Sequence, residues 1–314
     1  MEWYQRHKSL LAQVYAEAGQ RIAQFPAPLH KAGLVYADKF NPVKDDNGKD
    51  YICSLLPFWI KEPTGISDSQ CRQLALANVY GMLYFFIQDD VMDGIPSANW
   101  KEQLALGNLL LLEMLAVLRG LFPSDSPFWS YYHQYVTIWA DSVMNESRDN
   151  YLMTEPLRMA GKAGPVKIAS TGAMLLSGKT ESIGQLELAV DIVLTTLQMS
   201  DDWVDWKDDL ADGSYNGLLA QVAAGLGRDT HEKLSVQEIE NAIYVRGCLK
   251  PYVQIACDNH ERLLTLEIGA GELVDFHSYL LDHLTQTAEA IDANKLLLQK
   301  GGFNYFLASQ LNDG

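Results

Sequence analysis

Two runs of aspartate are the residues whose types and spacing could do chemistry together. Asp89, Asp90 and Asp93 lie in YGMLYFFIQDDVMDG, and Asp201, Asp202, Asp205 and Asp209 lie in LQMSDDWVDWKDDLADG. On an α-helix, residues three and four apart share a face. Val79, Met82 and Phe86 therefore line up with Asp89 and Asp93, so that an apolar stripe turns acidic in its last turn. In the second run Leu186, Val190, Leu194 and Leu197 lead along one face into Asp201, Asp205 and Asp209, with Asp202 one residue round from that line. Carboxylates at a helix C-terminus oppose the macrodipole and repel one another at i, i+4 by about 0.2–0.5 kcal/mol. The pattern therefore calls for a compensating partner. A hard divalent cation is one: Mg²⁺ accepts one or two carboxylates, keeps several waters and takes its remaining oxygens from a substrate phosphate. An EF-hand calcium site is disfavoured, because no twelve-residue loop with a central Gly and terminal Glu is present.

The elements that must position these residues read as helices. Apolar residues recur at helical spacing along nearly the whole chain, and strand-like alternation between turn residues is hard to find, which predicts an all-α protein. The first acidic run closes a helix beginning at Ser67, where Ser67 and Gln70 form a capping-box pattern. The second closes a helix from Ser182 to about Leu210, and Ser235 with Glu238 starts another. Breaks fall at Lys44–Lys49, Gly94–Asn99, Pro123–Pro127, Gly161–Pro165, Asp212–Gly217, Gly225–Thr230 and Gly301–Gly302, leaving about ten helices. With no repeat and no Pro/Ser-rich linker, residues 1–314 read as one domain.

Composition limits the partners. The 314 residues are 48% apolar, enough for a sizeable core, and carry 24 Lys and Arg against 40 Asp and Glu, a net charge of −16. Nucleic acid and anionic membrane surfaces are disfavoured, since both are bound mainly through Lys and Arg. An anionic substrate remains compatible when divalent cations stand between it and the protein. The four cysteines show no CxxC pair, as expected of reduced thiols in a cytoplasmic protein. No signal peptide is visible, and the apolar stretch Leu104–Phe122 contains Asn108, Glu113 and Arg119, which favours a buried helix over a membrane span.

These motifs, in this order and setting, resemble the class I isoprenoid synthases, the superfamily of terpene cyclases and trans-prenyltransferases. The family's first aspartate-rich motif is similar to Asp89-Asp90-Val91-Met92-Asp93, preceded by aromatic-rich FFIQ. The second is matched in two registers, a prenyltransferase-type DDxxD (Asp201, Asp202, Asp205) or a cyclase-type triad (Asp201, Asp205, Asp209). The resemblance implies a single-domain helical bundle around a central active-site cavity, three Mg²⁺ ions per site, a prenyl diphosphate substrate, farnesyl or geranylgeranyl rather than geranyl, and a homodimer as an option. It also implies a diphosphate-sensing Arg at a helix break, which Arg158 in PLRMAGKAGPVK matches in position, with Lys162 and Lys167 nearby and Lys207 inside the second motif. Phe85, Phe86, Trp203 and Trp206 flank the carboxylates and could face a carbocation, which an aromatic face stabilises by about 0.5–2 kcal/mol. Phe86 shares the face of Asp89 and Asp93. Tyr305 near the C-terminus is a candidate diphosphate contact.

The departures select a branch. Prenyltransferases usually follow the first motif with an Arg-Arg pair and carry a GKR-like basic motif near the N-terminus; here the first motif runs into GIPSANWK and neither element is visible. The expectation is therefore an atypical terpene cyclase, a carbon–oxygen lyase that ionises the diphosphate and releases a hydrocarbon or alcohol. Chain elongation with isopentenyl diphosphate is the alternative, followed by a non-catalytic scaffold of the same fold. A two-metal nuclease would need a basic groove that the composition does not provide.

Overall fold

The computed structural model describes residues 1–44, 51–93, 99–146, 148–228 and 234–312, without the side chains of 93 and 303–312. Every regular element among them is a helix, so the all-α expectation holds. Most of the breaks expected at Lys44–Lys49 and Gly94–Asn99, and the end of that at Gly225–Thr230, lie outside the described residues. The two aspartate runs close the helices Asp68–Asp93 and Ile183–Asp212. Both capping boxes form. Gln70 Oε1 accepts from the Ser67 N–H at 2.9 Å while Ser67 Oγ accepts from the Gln70 N–H at 3.3 Å, and Ser235 and Glu238 exchange the same pair of bonds at 2.9 and 3.3 Å. Each box satisfies N–H groups that a helix start otherwise leaves open.

The chain packs as two compact units, Met1–Asp141, Gly161–Val190 and Glu267–Asp275 in the first, Ser142–Ala160, Asp191–Leu266 and Phe276–Gly314 in the second. Four of their five boundaries fall inside helical segments, and the fifth, between Leu266 and Glu267, lies in the short connection between Leu249–Thr265 and the helix starting at Gly271.

In the first unit the Asp68–Asp93 helix is central and packs against Lys8–Ile22, Tyr51–Trp59, Trp100–Leu121 and Lys167–Ser177. Small residues allow its closest approach to Trp100–Leu121. A Cβ on Gly81 would sit 3.0 Å from Met114 Sδ, and one on Gly107 would sit 3.3 Å from Ile87 Cγ2. The Trp100–Leu121 helix is the one described helix long and apolar enough to cross a membrane by length and composition. It buries Leu106, Leu110, Met114, Val117 and Leu118, spaced three and four apart, while Leu112 on the other side is 61% exposed. Burial expected for the whole stretch is thus confined to one face.

In the second unit Met199 and Trp206 join Leu218, Val222, Ile243 and Tyr252 in one apolar cluster. Beside it lies a buried polar chain. Asn259 Nδ2 donates to Thr196 Oγ1 at 3.2 Å, Thr196 Oγ1 meets His277 Nε2 at 2.9 Å, and His277 Nδ1 meets His260 Nδ1 at 3.0 Å. The bonds are satisfied together when the Thr196 hydroxyl donates to His277 Nε2 and His277 Nδ1–H donates to His260. Burial, with His260 adding a smaller push, lowers the His277 pKa to about 3. Unfolded, the same imidazole takes a proton near 6.5. Between these values the unfolded chain binds the extra proton, so stability falls as pH drops below about 6.5, by up to about 1.4 kcal/mol per pH unit. The urea midpoint is expected to fall between pH 7 and pH 5 in the wild type. In His277→Asn it is lower at pH 7 but falls less, and equal slopes in the two proteins would remove His277 as the cause.

Candidate functional site

Each aspartate run divides its carboxylates between two sides of the helix. In the first, Asp90 Oδ2 accepts a hydrogen bond of 2.8 Å from the Tyr36 hydroxyl on the helix Leu29–Lys39. Asp89 is half-buried, and Phe86, four residues before Asp90, tilts its ring against Phe40 beside Tyr36 with centroids 4.9 Å apart. Phe85 is buried between Tyr84 and Trp139, at 4.9 and 4.8 Å, as part of the core. The helix includes Asp93, whose side chain lies outside the described residues, as does that of Tyr305.

In the second run the division is sharper. Asp202 is 3% exposed; Gln198 Nε2 donates to its Oδ1 at 2.9 Å and the Gly217 N–H to its Oδ2 at 2.8 Å. A Cβ on Gly217 would lie 2.9 Å from that oxygen, so glycine is what lets the backbone approach. Asn216 completes the arrangement: its Nδ2 donates to the Asp202 carbonyl at 2.8 Å and to Asp209 Oδ2 at 2.7 Å, and its Oδ1 accepts from the Leu219 N–H at 3.1 Å. Asp202 thus sits at the start of the helix Gly217–Gly225, where free N–H groups favour negative charge. Asp202, expected among the metal ligands, carries a protein hydrogen bond on each of its oxygens. Asp205 is exposed, and Asp201 and Asp209 are half-buried on the same helical line.

The expected aromatic and basic contacts separate in the same way. Trp206 is buried in the core of the second unit and Trp203 packs against it, so core packing accounts for both. Arg158, 42% exposed in the 3₁₀ segment Pro156–Val166, lies 4.4 Å over the Tyr151 ring and pairs with Asp149 at 3.5 Å and Glu155 at 3.8 Å. Lys207 lies over Trp206 and reaches Glu240 at 3.7 Å. Lys162 is half-buried.

Among the described residues no three His, Cys, Asp or Glu side chains converge closely enough to hold a metal ion alone. The donors are all hard oxygens, one or two to each helical turn. They suit a cation that keeps water and is completed by phosphate oxygens, as Mg²⁺ does, better than one held in a closed protein cage.

Neither a family model nor a curated protein matches the sequence. Solved structures do. A decaprenyl diphosphate synthase from Rhodobacter capsulatus superimposes with a TM-score of 0.68 at 17% identity, over 90% of this chain and 98% of that one. A polyprenyl synthase from Caulobacter crescentus CB15, complexed with calcium and isoprenyl diphosphate, gives 0.71 at 15% identity over 89% and 96%. The fold is that of the all-helical isoprenyl diphosphate synthases. The expectation of a carbon–oxygen lyase is overturned here: both proteins are prenyl synthases, transferases rather than lyases, and the likeness gives no support to a cyclase branch.

Within the isoprenyl diphosphate synthase fold, one further cation stands out. Lys167 opens the helix that follows the Gly164-Pro165 break, is 6% exposed, and holds its Nζ 5.3 Å from the centre of the Tyr135 ring. The Tyr135 hydroxyl meets Thr171 Oγ1 at 2.5 Å and donates to Glu187. Burying an ammonium is costly unless it is compensated.

Proposed function

We propose that this chain is a divalent-cation-dependent prenyltransferase that joins an allylic prenyl diphosphate to isopentenyl diphosphate. One observation carries the reading: two long helices, Asp68–Asp93 and Ile183–Asp212, each close on a run of aspartates, in a fold shared with prenyl synthases. The likeness over nine-tenths of the chain to two prenyl synthases supports it, and so does the bound isoprenyl diphosphate of one of them. The candidate ligands are Asp89 and Asp93 in one run and Asp201, Asp205 and Asp209 in the other. Cations bound there would supply Lewis-acid neutralisation of the leaving diphosphate.

The chain's own residues then have separate tasks. Asn216 orients Asp209 through its 2.7 Å bond, and Tyr36 holds Asp90 away from the ligand line. Lys167 is the candidate cation for a phosphate oxygen, because a desolvated ammonium interacts more strongly with an anion than an exposed one does. In the reaction the allylic C–O bond breaks with its electron pair leaving on diphosphate. The allylic carbon bonds to the terminal alkene carbon of isopentenyl diphosphate, which leaves a tertiary cation on the inner alkene carbon, and the proton lost from the CH₂ next to that cation passes to the released diphosphate.

Purified protein with Mg²⁺, labelled isopentenyl diphosphate and geranyl, farnesyl or geranylgeranyl diphosphate in turn should form a longer labelled diphosphate with at least one of them. Absence of label from every longer product would remove the proposal and leave a non-catalytic protein of the same fold.

A further inference from the structure

Three consecutive residues after the second aspartate run, Tyr215, Asn216 and Gly217, each bond to a different part of the second unit. The Tyr215 hydroxyl accepts from the Leu152 N–H at 3.3 Å and donates to Asn150 Oδ1 at 3.2 Å. The Gly217 N–H donates to Asp202. Between them Asn216 is 2% exposed and uses its whole amide. One Nδ2 hydrogen serves the Asp202 carbonyl, the other serves Asp209 Oδ2, and Oδ1 accepts from the Leu219 N–H in the first turn of the helix Gly217–Gly225. Turning the amide over would set its oxygen against two acceptors, so the bonds themselves fix which atom faces Asp209. The main chain of Asp209 is held as well. Its carbonyl accepts from the Gly213 and Ser214 N–H groups at 2.8 and 3.0 Å, in a turn that Gly213 permits with φ at +77°. One buried amide thus joins a carboxylate of the i, i+4 line to the cap of the next helix.

We infer, resting on the reading of Asp209 as a cation ligand, that Asn216 is a positioning residue: it holds Asp209 in place and couples an ion bound there to the start of the helix Gly217–Gly225. A ligating carboxylate that is itself hydrogen-bonded keeps its orientation, and loss of such an outer partner lowers metal affinity about 10–100-fold. Linkage makes the coupling reciprocal. If the seated cap raises cation affinity, a bound cation favours the seated cap by the same factor.

Hydrogen–deuterium exchange of the full chain tests this, with Mg²⁺ titrated at a fixed concentration of inorganic diphosphate. In the wild type, exchange over residues 217–220 should slow as Mg²⁺ rises. Asn216→Ser keeps an oxygen that caps the Leu219 N–H but is too short to reach Asp209. Without Mg²⁺ its exchange over residues 217–220 and over Leu249–Thr265 should match the wild type, while its Mg²⁺ midpoint should rise about tenfold or more. Asn216→Thr caps in the same way and suits the extended backbone at this position, φ −145° and ψ 124°, so it takes the place of the serine variant if that unfolds. Asp209→Asn should raise the midpoint too. Equal midpoints in the wild type and the Asn216 variant, or no slowing over residues 217–220, would overturn the inference while a raised midpoint in Asp209→Asn leaves the ligand in place. An unchanged midpoint in Asp209→Asn would overturn both.

Discussion

Asp89→Asn and Asp201→Asn should each lower prenyl transfer by roughly 10²–10³-fold, the scale expected when electrostatic stabilisation of a leaving group is lost. Asparagine keeps the shape and most of the hydrogen bonding of aspartate, so what is removed is chiefly a charged oxygen ligand. Neither position is in the buried core, and the α-helical circular-dichroism signal should be unchanged. Asp90→Asn is the internal comparison: Asp90 is exposed and accepts from Tyr36, a bond that an amide oxygen can also accept, so its effect should be far smaller. Initial rates across Mg²⁺ concentrations separate these outcomes. Weakened metal binding appears as a higher Mg²⁺ requirement, which excess metal partly restores. Near-normal rates in both Asp89→Asn and Asp201→Asn would withdraw the metal assignment from the two runs.

How far the sequence could go depends on the distance over which each feature is decided. Helical periodicity and capping boxes act within four residues, and so the helices ending in Asp93 and Asp212, and the capping boxes at Ser67 and Ser235, were legible. The partner of Asp90 lies 54 residues earlier and the Gly217 N–H bound to Asp202 lies 15 residues later, beyond any local rule, while Gln198 is a helical neighbour of Asp202 four residues before it. Lys207 and Arg158 were plausible phosphate contacts by position alone, yet Glu240 and the pair Asp149 and Glu155 engage them. Trp203 and Trp206 show the same limit: an aromatic at helical spacing looks alike whether it lines a cavity or fills a core. The choice of reaction class failed for a different reason. It rested on basic motifs that were not visible, whereas the solved structures that share the fold over nine-tenths of the chain are prenyl synthases.

The neighbouring residues Asp202 and Asp205 should answer to different measurements, although both belong to one DDxxD. Removing the Asp202 carboxylate leaves the buried N–H of Gly217 and the amide of Gln198 without their acceptor, at the point where the chain returns through Asn216 to start a new helix. A lost hydrogen bond to a charged group is worth about 1.5–3 kcal/mol, and an orphaned buried donor adds its own desolvation cost, so Asp202→Ala should destabilise the protein by about 3 kcal/mol or more. Asp202→Asn keeps one acceptor oxygen and should fall between the two. Asp205 is exposed, and Asp205→Ala should change stability by no more than about 0.5 kcal/mol while raising the Mg²⁺ needed for half-maximal rate. Urea unfolding of metal-free protein reads the first effect, and metal-dependent kinetics the second. If Asp202→Ala unfolds at the wild-type urea concentration, the Gly217 contact does not hold the second unit together, and Asp202 returns to the set of candidate ligands.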